Sequence, residues 1–402
     1  MTALSIQHLA KIGIVHERTV EAASAGTKGA SSSSESSSSG DSNKKKNSKS
    51  ENKSINGEDK NAKASNAKAA PKPKATSTPA VAVAAAPTGA PPSTIKTVGD
   101  LETKTDLLYM HDFKWTEIGE YADDHCHITA VAYEEIDVDA SSGADPSSTP
   151  KRIIIKSLAF NTSIMHPQGG GQPTDLGTVN VRKEICDAGV GESGKYRFEI
   201  NMVRHCKDNA GVVWHDVVQE KSPVSFASLK ELEEALLSPT GTGRPVSMTI
   251  DMKARMLNAR LHTAGHLIDV AVSKVGLKSW RPAKGYHFPD GPYVEYIFPM
   301  EEKDEFNKDK DGWRQRIEDA CGETIKMHTA GATAPEASAA GSGGRGVSIS
   351  VKAGVRHVEC CGVETHCGGT HVDDVGKIGT ISVGKIELKK DRARVKYKIA
   401  PC

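Results

Sequence analysis

Asp251-Met-Lys-Ala-Arg-Met-Leu-Asn-Ala-Arg-Leu-His-Thr-Ala-Gly-His-Leu-Ile-Asp-Val-Ala-Val-Ser-Lys-Val-Gly276 is the stretch on which the reading of this chain turns. Leu257, Leu261, Ala264, Ile268, Ala271 and Val275 recur at helical spacing, Asp251 suits an N-cap and Gly276 a stop. The run therefore predicts an amphipathic helix over 251–275. On it His262 and His266 lie one turn apart on one face, beside the apolar stripe, and can bring two imidazole nitrogens to a common point. Alone, such a pair is a weak metal signal, because two ordinary polar positions look the same.

A cysteine and a histidine with the same separation, Cys367 and His371, occur in Cys367-Gly-Gly-Thr-His371. Gly368-Gly369 disfavours a helix and predicts a tight loop that turns both side chains toward one centre. One thiolate and three imidazoles suit tetrahedral zinc, so the two pairs read as one site for one zinc ion. Most zinc motifs close within about twenty residues. Here roughly a hundred intervene, so spacing by itself leaves the metal open.

Three separated stretches together carry more information. They are Met165-His-Pro-Gln-Gly-Gly-Gly-Gln-Pro-Thr-Asp-Leu-Gly177, the helix with its two histidines, and Cys367-Gly-Gly-Thr-His371 followed by Gly376-Lys-Ile-Gly379. In order and separation these resemble the editing domain of alanyl-tRNA synthetases and its free-standing relatives, the AlaX proteins, a family that also takes in the threonyl-tRNA synthetase editing module. The resemblance covers about residues 104–400. It implies zinc ligands at His262, His266, Cys367 and His371 and an editing role for Gln172. This chain departs from the family's pattern at Met165, His166, Gln168, Asn161 and Ser163.

What the resemblance implies about chemistry is hydrolysis of the ester that joins a wrong amino acid to a tRNA. The expected substrates are seryl-tRNA(Ala) and glycyl-tRNA(Ala); seryl-tRNA(Thr) is the alternative within the family. Zinc would position a water, with Gln172 and the amides of Gly169, Gly170 and Gly171 near the reacting end. Serine exceeds alanine by one hydroxyl, so a proofreading pocket needs polar groups, and Ser163, Thr162 and Gln172 are candidates that also suit turn-capping roles. His287 is a candidate for the pocket wall. Two other classes fit part of the pattern: a cysteine hydrolase with Cys367 as nucleophile, and a non-catalytic RNA-binding or regulatory protein that keeps zinc for folding.

The rest of the chain bounds these readings. It has 402 residues, 37% hydrophobic, with formal net charge +1. Residues 22–92 are dominated by Ser, Lys, Ala and Pro, and between 41 and 75 ten lysines face four acids, which predicts a disordered basic tail able to raise non-specific RNA affinity. The chain has no room for an ATP-dependent aminoacylation domain, so no ATP is expected. The eight cysteines are scattered, no apolar run approaches a membrane span and residues 1–21 lack a secretory core, so a cytoplasmic, reducing location is expected.

The expected fold class is α+β, in three parts. Residues 1–100 are expected to form the tail and the antiparallel strands of 101–248 a barrel; the resemblance implies that this N-terminal barrel bears the glycine-rich motif and packs against an α+β zinc-containing editing domain over 249–402. Strands are expected at 107–110, 128–133, 152–160, 177–182, 196–200, 212–216 and 247–250, with a Ser-rich loop at 137–150 and a short helix at 229–236. A charged helix is expected over 301–320 and a loop insertion over 330–345. Near the C-terminus Arg392, Arg394, Lys396 and Lys398 alternate with Ala393, Val395, Tyr397 and Ile399, so the cations share one strand face that suits an RNA backbone. Taken alone, the same row suits a solvated edge strand. Asp269 reads as a solvent-facing charge, and His125-Cys-His127 as an unmetallated strand.

Overall fold

A computed structural model describes residues 95–138, 150–182, 196–209, 211–237, 243–330 and 345–401. The tail reading, most of the 137–150 loop and nearly all of the 330–345 insertion lie outside the described residues.

Val, Ile and aromatic residues alternating with polar ones build the first layer. Strands Glu120–Asp137, Pro245–Ile250, Gly177–Val181, Tyr196–His205, Val213–Val217 and Lys151–Phe160 pair in that spatial order, and the last pairs back onto the first, closing a six-stranded antiparallel barrel. Register shifts between Ile128 and Ala130 and between Ala132 and Tyr133 bend the long strand where the barrel closes. Val131, Ile155, Leu158, Phe160, Val179, Phe198 and Met248 fill the interior. Leu107–Met110 is not a strand: only Asp106–Leu107 pairs, parallel to Thr162–Ser163, and Leu108–Met110 is a 3-10 turn that sinks Tyr109 into the core.

One residue after the barrel's last-numbered strand, Asp251 accepts a hydrogen bond from Ala254 N at 3.0 Å and starts the helix Met252–Lys274. Its apolar face packs against a four-stranded antiparallel sheet of order Arg281–Tyr286, Tyr293–Ile297, Arg392–Ile399, Ile381–Lys389. The basic strand Arg392–Ile399 is therefore an inner strand, paired on both sides, and the edge reading fails. A three-stranded sheet, Val347–Lys352, Val355–Cys360 and Val363–His366, leads into the Cys367 loop. The expected charged helix is two helices, Lys303–Lys308 and Lys310–Thr329, because Asp309 caps the second by accepting from Gly312 N at 3.1 Å. The architecture is mixed α+β, and no helix among the described residues is long and apolar enough to cross a membrane.

Candidate metal centre

The helix Met252–Lys274 is a spine that registers the three motif stretches against one another. Arg255, fully buried, forms an ion pair with Asp175 of the glycine-rich stretch and donates to the Ile164 and Trp115 carbonyls. Asp175 also accepts from His166 N at 2.6 Å. Removing either partner of such a buried pair costs about 3–5 kcal/mol. Five residues further along, Arg260 donates to the carbonyls of Lys377, Ile378 and Ala400, which pins the segment following Cys367-Gly-Gly-Thr-His371.

Between these anchors the glycine-rich loop reaches the helix. Gly169 and Gln172 exchange backbone hydrogen bonds of 3.3 and 2.9 Å across a two-residue turn. The central residues Gly170 and Gly171 have φ of +57° and +79°, a conformation that side-chain-bearing residues rarely adopt. The turn delivers Gln172 inward, fully buried, where Nε2 donates to Thr370 Oγ1 at 2.8 Å. Gln172 Oε1 is then the acceptor, taking Thr370 N at 3.0 Å and His262 Nδ1 at 2.7 Å. With its proton held on Nδ1, His262 presents the bare lone pair of Nε2, which lies 3.3 Å from Cys367 Sγ.

His371 is oriented in the same way by a different group. Thr263 Oγ1 donates to Ala259 O at 2.8 Å, so its oxygen accepts from His371 Nδ1 at 3.3 Å and from Val372 N at 3.2 Å. His371 Nε2 is left facing Cys367 Sγ at 3.2 Å. His266 stacks on His262, with ring centroids 5.3 Å apart and planes 9° from parallel. His266 Nε2 is buried without any hydrogen-bond partner. The ligand atoms of His262, His266, Cys367 and His371 all lie within 4.8 Å of one another.

The chemistry of this donor set fits zinc. A buried imidazole nitrogen without a partner costs free energy unless something fills its lone-pair direction. Burial holds the imidazoles neutral, His266 down to about 4 and His262 and His371 well below their ordinary value, so protons do not compete for their lone pairs near neutrality. Burial raises the Cys367 thiol, and the Gly369 amide and the Arg356 cation act in the opposite direction. A metal ion would displace that proton.

Two further residues shape the loop and were not read from the sequence. Arg356, buried, donates to the carbonyls of Cys367, Gly369 and Met110 at 2.6, 3.0 and 2.9 Å and bends the loop around its guanidinium. Its partners are backbone groups, so no side-chain motif announces it. Thr370 is the other, clamping Gln172 from across the site. Gly369 has to be glycine, since a Cβ there would stand 2.1 Å from the His262 ring.

His287 is brought to the same place. Its backbone N donates to Gly171 O at 2.8 Å, and its ring stacks on His262 with centroids 4.5 Å apart. Tyr397 OH donates to Leu261 O at 2.9 Å and accepts from His287 Nδ1 at 2.7 Å. Burial lowers His287 to about 3. Ser163 is not brought in: its hydroxyl sits inside the barrel, donating to His215 Nε2 at 2.8 Å and accepting from Met165 N at 3.1 Å. Arg392, Arg394 and Lys396 line the outer sheet face, away from the ligands. Arg394 is paired with Glu295 at 2.5 Å and Lys396 with Glu387 at 3.0 Å.

Asp269 is not a solvent-facing charge. It turns toward the core, where Tyr296 OH donates to it at 2.6 Å and burial raises its carboxyl to about 7. In the His125-Cys-His127 stretch, Cys126 points into the barrel and donates to Thr162 O at 3.4 Å.

No protein-family model matches the chain. It is 27% identical over 227 residues to the alanyl-tRNA editing protein AlaX-M of Pyrococcus horikoshii, covering 56% of this chain and 77% of that protein. It is 25% identical over 236 residues to the alanine–tRNA ligase of Methanobrevibacter smithii and 24% identical over 260 residues to that of Methanosphaera stadtmanae, covering 58% and 60% of this chain. The match spans only 23% and 24% of those two ligases. In its three motif stretches and the four-residue cluster they assemble, the chain is similar to an AlaX-type alanyl-tRNA editing protein and to part of the alanine–tRNA ligases.

Proposed function

We propose that this chain is a trans-editing hydrolase that deacylates mischarged tRNA(Ala), releasing serine and, more slowly, glycine from the terminal ribose. The observation that carries the reading is the convergence of His262, His266, Cys367 and His371 beside a glycine turn whose Gln172 fixes the first ligand. These four residues would hold zinc, which would supply Lewis acidity for ester hydrolysis. The residues of the chain do the remainder. Gln172 and Thr263 hold two histidines in the tautomer that leaves Nε2 free. The amides of Gly170 and Gly171, which have no intramolecular acceptor among the described residues, offer donors toward an ester oxygen as it gains charge.

The substrate reaches this site from the exposed edge formed by Gly169, Gly170 and Gly368. His287 closes the pocket from the opposite side, its ring packed on His262. Ser163 acts at a distance in this reading, fixing the backbone at Met165 that leads into the glycine stretch. Arg392, Arg394 and Lys396 face the RNA strand, the division near residue 248 separates the barrel from the ligand-bearing part, and the protein works on cytoplasmic tRNA without ATP.

Purified protein mixed with seryl-, glycyl- and alanyl-tRNA(Ala) and with seryl-tRNA(Thr) tests the proposal. Serine is expected to leave tRNA(Ala) fastest, with alanyl-tRNA(Ala) spared. Hydrolysis of none of the four rejects the enzyme, and preferential loss of seryl-tRNA(Thr) assigns it to the threonine branch.

A further inference from the structure

The four-stranded sheet has a wet face as well as the face that covers the helix. On the wet face Phe288, Tyr286 and Tyr293 stack in one column, with centroids 4.6 and 5.3 Å apart and planes 12° and 18° from parallel. Tyr286 OH donates to Asp290 at 3.1 Å, which anchors the middle ring. The Arg394 guanidinium caps the column 4.9 Å over Tyr293. All three rings are partly exposed, although each is large enough to be buried in a core.

The Tyr293 and Arg394 end of this column forms one wall of a cleft of about 770 Å³. Leu257 and Leu261 form its apolar floor, and Lys396 and Lys398 stand at its rim. Lys396 is paired with Glu387 and Arg394 with Glu295, while Lys398 is exposed and makes no ion pair among the described residues. Tyr397 also lines the cleft, and its hydroxyl touches His287 and Leu261, so a single side chain separates the cleft from the ligand-bearing region.

A flat aromatic and guanidinium wall, an apolar floor and an unpaired cation at the rim match the three parts of a nucleotide: base, sugar and phosphate. The volume lies in the range of small-ligand pockets. We infer that this cleft holds an unpaired nucleotide of a single-stranded RNA segment, its base on the Arg394 guanidinium that Tyr293 backs and its phosphate at Lys398. The inference rests on the proposed tRNA substrate and adds a place where the strand is gripped, on the far side of Tyr397 from the metal ligands. An aromatic column already fixed by its own stacking gives the base a rigid partner, so less freedom is lost on binding.

The test uses the full chain and fluorescence anisotropy with two RNA hairpins of identical stem, one with an unpaired four-nucleotide 3′ overhang and one blunt, and AMP as competitor. The overhang hairpin is expected to bind about tenfold tighter than the blunt one. Tyr293→Leu should remove most of that difference and Tyr293→Phe should keep it, since only the latter retains the ring that holds the Arg394 guanidinium flat. Lys398→Glu, at an exposed position that cannot unfold the protein, should weaken the overhang hairpin several-fold. Equal affinity for the two hairpins, wild-type binding by Tyr293→Leu and Lys398→Glu, or competition by AMP at the affinity of the overhang hairpin would each overturn the assignment. Deacylation of seryl-tRNA(Ala) by the wild type is measured in parallel. Its absence with the overhang preference intact rejects the proposed reaction and leaves the cleft standing; its presence without the preference rejects the cleft alone.

Discussion

His215 inside the barrel and His262 at the motif junction are both fully enclosed histidines with a polar side chain 2.8 and 2.7 Å away, yet they differ in what is left over. His215 uses both ring nitrogens: Nδ1 donates to Leu158 O at 3.3 Å and Nε2 accepts from Ser163. His262, His266 and His371 leave nitrogens that converge on Cys367 Sγ, and for His266 Nε2 the protein supplies nothing. A saturated histidine is a structural strut, whereas lone pairs left over and converging on one point describe a place for a cation. Asp269 stands between these cases, a carboxyl with the Tyr296 hydroxyl as donor and little water to help it ionise.

The strongest way to break this contrast is to remove the unpaired nitrogen. His266→Ala should drop bound zinc from about one per chain to well below it, read by elemental analysis, and abolish the proposed deacylation, since it removes one of the four donors the site offers a tetrahedral ion. Because His266 Nε2 has no protein partner, the metal-free variant should lose only the packing of the ring against His262 and His371, about 1–2 kcal/mol relative to the metal-free wild type. A large loss of apo stability would show that the nitrogen is structural after all.

Next in size is the pH response of Asp269. Its folded-state value of about 7 lies above the unfolded one of 3.8, so between those values the folded state holds a proton that the unfolded state has released. Stability from this group is present at low pH and falls as pH rises from about 4 to 7, by up to a few kcal/mol. Asp269→Asn should flatten that part of the curve in chemical denaturation, while unchanged curvature would mean the carboxyl is solvated.

Gln172→Ala should act on the ligand as well as on the fold, freeing His262 to rotate and change tautomer and stranding Thr370 N and Oγ1. Zinc affinity is expected to fall about 10- to 100-fold in a chelator competition. An effect of similar size, on the fold and not on the metal, belongs to Ser163→Ala, which strands His215 Nε2 and Met165 N and costs about 1–3 kcal/mol of stability. Its zinc content should stay that of the wild type, and loss of metal there would erase the distinction between the two regions.

The same contrast explains what could be read from residues alone. Both ligand pairs are local patterns, four residues apart on a helix and in a glycine loop, and the helix announced its own ends through Asp251 and Gly276. The alternation of Arg392, Arg394 and Lys396 with Ala393, Val395 and Tyr397 likewise showed which face is wet. Arg356 and Thr263 were not legible, because one binds backbone carbonyls far away in sequence and the other uses a hydroxyl that looks like any helix threonine. Leu107–Met110 reads as a strand from its apolar content, but Tyr109 is buried beside the Arg255 guanidinium at 5.6 Å, and the chain turns inward there. Asp269 was misjudged because its partner, Tyr296, arrives from a strand 27 residues later.

The central claim, that the four side chains form one metal centre, is tested most directly by zinc-edge X-ray absorption on the zinc-loaded full chain. One sulfur scatterer at about 2.3 Å and three nitrogens at about 2.0–2.1 Å are expected, with the sulfur contribution lost in Cys367→Ser. A first shell without sulfur, or one unchanged by that substitution, would contradict it.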